Sequence, residues 1–207
     1  MEDTRSTGAI NSVTNTYVAG LLTAVGAVLV AVVGFENYLP GATTPGSAGW
    51  LTFYGLLTLG ALALLVGAVL GYPFARASGG RIGLAGVGVA ALGFAMTTFG
   101  SALNLVYAGP AGETTTGGEF LFGGIVVAVL GGAILAAGLS RAGTLVRVAA
   151  ALGLALVAFV TALVVELAFV DLFATFAVVF AVGWLLFGLR MRTWTAEATT
   201  GRTAPVA

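Results

Sequence analysis

The run from Arg141 to Arg190, RAGTLVRVAAALGLALVAFVTALVVELAFVDLFATFAVVFAVGWLLFGLR, decides how this chain is organised. Between its terminal arginines the only charges are Arg147, Glu166 and Asp171. As one helix it would extend roughly 75 Å at 1.5 Å per residue, against a bilayer hydrocarbon core about 30 Å thick. Glu166 to Asp171 divides the run into two apolar segments, Leu145–Val165 and Leu172–Leu189, each of ordinary crossing length. The Glu166–Asp171 stretch is then expected to be a tight turn at a membrane surface.

Outward from this pair, the same criterion picks out Tyr17–Gly34, Leu51–Gly71, Ile82–Leu105 and Phe120–Leu139. The expected architecture is all-α: a polytopic, compact bundle of six transmembrane helices in three hairpins. It occupies residues 17–189, between an N-terminal tail (1–16) and a C-terminal tail (190–207). Barrel strands are ruled out by pattern, because they alternate apolar and polar residues over about 9–11 positions. Here the apolar runs are continuous, so each segment must close its own backbone hydrogen bonds, which a helix does. The similar ends Gly138-Leu139-Ser140-Arg141 and Gly188-Leu189-Arg190 give the hairpins a weak threefold look.

Composition points the same way. Of 207 residues, 59% are hydrophobic and only 8% charged, with a mean hydropathy of +1.08. A soluble domain carries about 25% charge. A soluble globular fold, a disordered chain and a nucleic-acid binder each need charge that this sequence lacks. The bilayer itself is the expected partner, with other membrane subunits or a second copy as further candidates.

Arginine placement sets the orientation, since basic residues concentrate in cytoplasmic loops. With six spans, Arg5, Arg76, Arg81, Arg141, Arg147, Arg190, Arg192 and Arg202 all fall on one side. That side is expected to be the cytoplasm, with both termini inside and the protein in the cell membrane. The opposite loops carry the acids Glu36, Glu113, Glu119, Glu166 and Asp171. Glu2 and Asp3 stand where a cleavable signal has its basic region, so the first span is expected to remain as an anchor. Tyr17, Tyr38, Trp50, Tyr54, Tyr72, Tyr107, Trp184 and Trp194 are candidates for the interfacial aromatic belts.

Small residues recur along the spans. In the third, Gly86, Ala90, Gly93, Thr97, Gly100 and Asn104 follow one another at alternating spacings of four and three, which places them on one helix face. Gly124, Ala128, Gly131, Leu135 and Gly138 repeat the pattern in the fourth span, and Gly20, Ala24, Ala27, Ala31 and Gly34 in the first. Ala151, Ala155, Ala158 and Ala162 form a stripe in the fifth. In lipid, helices associate through van der Waals contact, and small residues let backbones approach. Tight packing is therefore the expected meaning of these stripes.

Chemistry is bounded by absences. The chain has no Cys, His, Lys or Gln. The usual haem, zinc and iron–sulfur ligand sets are missing, as are a Schiff-base lysine and a Ser-His-Asp set. No catalytic residue, no metal ligand and no cofactor site is expected. The loop Gly109–Gly118 is glycine-rich but has no Lys or Arg to hold phosphate, and reads as a flexible connection.

The residues that remain as candidates for a transport path are Thr97, Ser101 and Asn104, on or beside the third-span stripe, and Glu166, the acid nearest to membrane depth. An ionisable group within a membrane is a functional hypothesis by default. The expectation for Glu166 is nevertheless a solvated position at the outer boundary. The leading functional expectation is a non-enzymatic integral membrane protein, self-standing or an accessory subunit of a membrane complex. The alternative is a small channel or transporter with a polar path along the third helix.

Overall fold

The computed structural model describes residues 3–35, 44–107, 115–165 and 172–200, and these are helical but for short turns. Six helices follow in order: α1 (Asp3–Val33), α2 (Ala48–Leu70), α3 (Tyr72–Tyr107), α4 (Thr115–Arg141), α5 (Val146–Val165) and α6 (Leu172–Thr200). Each is long and apolar enough to cross a membrane. The long run that decides the fold is indeed divided, with α5 ending at Val165 and α6 beginning at Leu172. The expected turn between them, with Glu166 and Asp171, lies outside the described residues.

Each helix packs on its neighbours in the chain, and α6 closes back on α1. The result is a ring of antiparallel helices. At one end of it sit Arg76, Arg81, Arg141, Arg147, Arg190 and Arg192; Glu119 sits toward the other, at the start of α4. These are called the basic and acidic ends below. The outer faces are apolar, with Leu59, Leu92, Val106, Leu154 and Val157 exposed. An apolar exterior of this extent belongs in lipid.

The α3/α4 contact is the most extensive of the six, and the two small-residue stripes create it. A β-carbon on Gly93 would overlap the backbone nitrogen of Ala128 and lie 2.6 Å from the Gly124 carbonyl oxygen. One on Gly100 would lie 2.5 Å from the Leu121 nitrogen, and one on Gly138 2.5 Å from the Gly83 nitrogen. Gly86 abuts Leu135 and Gly131 abuts Ala90, both through backbone atoms. The predicted faces are thus the contacting faces, and backbone lies on backbone over about five turns. The α1 stripe works in the same way against α6, where Gly20 meets the Gly188 carbonyl and Gly34 meets Ala177.

The basic end departs from expectation. Residues 72–81, expected as a loop, form a short helix, Tyr72–Gly79, continuous with α3 except for a break at Gly80 (φ 62°, ψ −150°). That backbone conformation is essentially restricted to glycine. Pro73 does not prevent the helix because it lies in the first turn, where no intrahelical N–H is needed. Phe74 and Ala75 bury themselves under the ring, while Tyr72 and Arg76 face outward. The Thr144 hydroxyl, in the α4/α5 turn, donates to the Ser78 carbonyl. The break thus leaves a carbonyl that a neighbouring turn satisfies. At the acidic end, Ser47 caps α2 by accepting a hydrogen bond from the Trp50 amide at 3.1 Å.

Candidate functional site

Six helices in a ring enclose space that side chains must fill. On α6, Phe176, Phe180, Trp184, Phe187, Met191 and Trp194 recur at spacings of three and four and so share one face. Most of this face points inward. Phe180 and Trp184 both pack edge-on against Phe94 of α3, with Trp184 and Phe94 ring centres 5.0 Å apart. Trp184 then meets Phe187, which meets Phe74, which meets Trp194. An aromatic column therefore fills the ring from mid-depth to the basic end. Trp184 is wholly buried in it.

This corrects part of the expected aromatic belt. Trp184 is at the centre of the bundle, and Trp50 and Tyr54 are buried as well. Tyr72 and Tyr107 are exposed at helix ends and Tyr17 is exposed where the apolar part of α1 begins, as belt residues should be; Tyr38 lies outside the described residues. The ring of Tyr17 also lies beneath the Arg192 guanidinium, 5.0 Å from its centre, and the Tyr17 hydroxyl accepts a hydrogen bond from Arg192 at 3.0 Å. The buried indole N–H groups of Trp50 and Trp184 find no acceptor among the described residues. Ring packing, and not hydrogen bonding, holds Trp184 in place. Its spacing with Phe176, Phe180 and Phe187 was the signal for an inward position.

Between the column and the acidic end lies a cavity of about 190 Å³. Its walls come from α1, α2, α3, α4 and α6, including Val33, Phe53, Leu57, Ile125 and Phe180. Among the described residues Thr97 is the one hydroxyl residue on the wall. Its hydroxyl donates to the Gly93 carbonyl one turn back, at 3.0 Å.

Thr97, Ser101 and Asn104 are all buried along one side of α3, as the stripe predicts. Ser101 donates to the Thr97 carbonyl at 2.8 Å, and its oxygen lies 2.9 Å from the Thr58 hydroxyl of α2. The Thr58 proton is shared between that oxygen and the Tyr54 carbonyl at 2.7 Å. Only Thr97 of the three borders the cavity; Ser101 instead links α2 to α3. Glu166 lies outside the described residues. Among the described residues no group of acids is arranged to hold a metal ion.

No protein-family model, no curated protein and no solved structure matches the chain.

Proposed function

We propose that this chain is a non-enzymatic, multi-pass protein of the cell membrane, with both termini on the cytoplasmic side. It acts alone or as an accessory subunit, through helix packing with lipid, other membrane subunits or a second copy of itself. The observation that carries this reading is the occupancy of the ring. An aromatic column fills one half, and the hydroxyls of Thr23, Thr97 and Ser101 donate to carbonyls of their own helices. Hydroxyls bonded in this way have no proton left for a guest, and the apolar wall disfavours water. The gathering of six arginines at one end supports the cytoplasmic assignment of that end.

The second reading, a small channel or transporter with a polar path along α3, is favoured by one feature. Thr97 borders the cavity, and Ser101 sits one turn further along the same side, joined to Thr58. Proteoliposomes discriminate the two. With a pH-sensitive dye inside and a potassium gradient imposed, the leading reading expects leak no faster than in protein-free vesicles. A saturable flux that follows the protein would replace it with the transport reading.

A further inference from the structure

The cavity and the exterior of the ring are separated by very little at one seam. Gly34, in the turn that follows α1, and Ala177 of α6 both border the cavity, and a β-carbon on Gly34 would lie 2.5 Å from that of Ala177. On the exterior of the same seam is a groove of about 350 Å³, walled by Val28 and Val32 of α1, by Phe35 just beyond it, and by Val178, Val182 and Leu185 of α6. Cavity and groove lie at overlapping depth, since both draw on residues near Ala31 and Ala177. The residues of the seam that face each other here are small: Gly34 and Ala177, with Ala31 and Ala181 beside them in the groove wall. α1 and α6 are not consecutive in the chain, so no connecting loop crosses the seam.

We propose that the cavity binds one acyl chain of a bilayer phospholipid, which enters sideways from the exterior groove between Gly34 and Ala177. This rests on the reading that the ring is embedded in a membrane. Three observations select the occupant. The wall is apolar but for Thr97, whose hydroxyl proton already goes to Gly93, so a polar guest would exchange its hydration for a single acceptor. The volume exceeds that of the roughly 150 Å³ apolar cavity that stays dry and accepts benzene, so it suits a chain segment and not a whole lipid. Finally, every arginine in the described helices beyond α1 lies at the opposite end of the ring. The acidic end therefore offers no cation to a phosphate head group, which disfavours a polyprenyl phosphate and leaves the head group outside. An unfilled cavity would deprive its wall of dispersion contacts that the surrounding hydrocarbon can supply.

The chain lacks cysteine and has three tryptophans, which makes the test direct. A variant with Trp50→Phe and Trp194→Phe keeps Trp184, which packs on the cavity residues Phe94 and Phe180. It is placed in nanodiscs of phosphatidylcholine with dibrominated oleoyl chains, which quench indole fluorescence at short range, through one intervening ring. A second version adds Val32→Cys and Val178→Cys on the groove side of the seam, where a short bis-methanethiosulfonate, joined to both through disulfides, closes it. Expected is strong quenching of Trp184 when lipid is introduced with the seam open. Most of that quenching should be lost when the seam is cross-linked before lipid exchange, and it should return on reduction. Ala61→Leu, which fills the cavity from α2, should produce the same loss without the cross-link. Quenching that is unchanged by both the closed seam and the filled cavity would overturn the proposal. Stronger relief of quenching by farnesol than by unbrominated phosphatidylcholine would overturn the choice of occupant. A tryptophan-free variant carrying Leu92→Trp reports on the underlying reading. Leu92 faces outward, so its replacement must be quenched if the ring is in lipid, whatever happens at Trp184.

Discussion

Gly93 of α3 lies against the backbone nitrogen of Ala128 of α4, with no room for a side chain on Gly93. The obstacle is backbone, which cannot swing aside as a flexible side chain would. Gly93→Leu must therefore separate the two helices or distort one of them. Overpacking of this kind costs about 1–3 kcal/mol. Its neighbour Leu92 is 58% exposed, so Leu92→Phe should alter stability by no more than about 0.5 kcal/mol. Thermal unfolding of both variants in detergent checks the pair. Equal losses would remove the packing role assigned to the stripe.

The break at Gly80 makes a second contrast within α3. Its φ of 62° with ψ −150° is a backbone conformation that strains any residue with a β-carbon, although nothing lies within 4 Å of one there, and Gly80→Ala should cost about 1–3 kcal/mol. Gly88 is helical, with nothing within 4 Å of an added β-carbon. Gly88→Ala should therefore stabilise by up to about 1 kcal/mol, because alanine favours a helix over glycine. Matching effects of the two changes would mean that the helix is not broken at Gly80.

Much of this arrangement is legible in the sequence, and the parts that are not share a cause. The six helices follow from the length of the apolar runs. The α3 and α4 stripes follow from spacings of three and four, since a face so rich in glycine has few uses other than close contact. Trp184 and Trp50 are misread because a tryptophan near a span end has two outcomes, at the interface or in the core. Which one occurs depends on what stands opposite. For Trp184 that is Phe94 of α3, a partner far away in sequence. The Tyr72–Gly79 helix is hidden by Pro73 and the Gly79-Gly80 pair, which look like loop signals but serve as a first turn and a break. The cavity was not visible at all. Its wall is assembled from α1, α2, α3, α4 and α6, which are far apart in sequence. Thr97 was identified as polar and buried-facing, but the direction of its hydroxyl, back to Gly93, is a matter of local geometry.

Orientation across the membrane can be read with single cysteines, because the native chain has none. The arginine distribution predicts that Glu113→Cys in intact cells reacts with a membrane-impermeant maleimide while Arg81→Cys is protected until the cells are opened. The reverse pattern would place the basic end outside and contradict the assignment.

Glu166 bears on the choice between the two functional readings. The solvated turn that the sequence leads one to expect at Glu166 predicts that Glu166→Gln changes stability by no more than about 0.5 kcal/mol and leaves vesicle permeability unaltered. A variant that folds normally yet abolishes a proton-linked flux seen in the native protein would establish Glu166 as a transport residue.

The central claim is that the interior of the ring is dry, and thiol reactivity at Thr97 tests it most directly. Thr97→Cys nearly conserves size and places a reporter on the cavity wall; Tyr107→Cys, at an exposed position at the acidic end of α3, gives the reference rate. Buried apolar surroundings raise a thiol's pKa and keep it unreactive, so a charged methanethiosulfonate should modify Thr97→Cys at least about a hundredfold more slowly than Tyr107→Cys in membranes. Comparable rates at the two positions would show water reaching the centre of the ring and contradict the account.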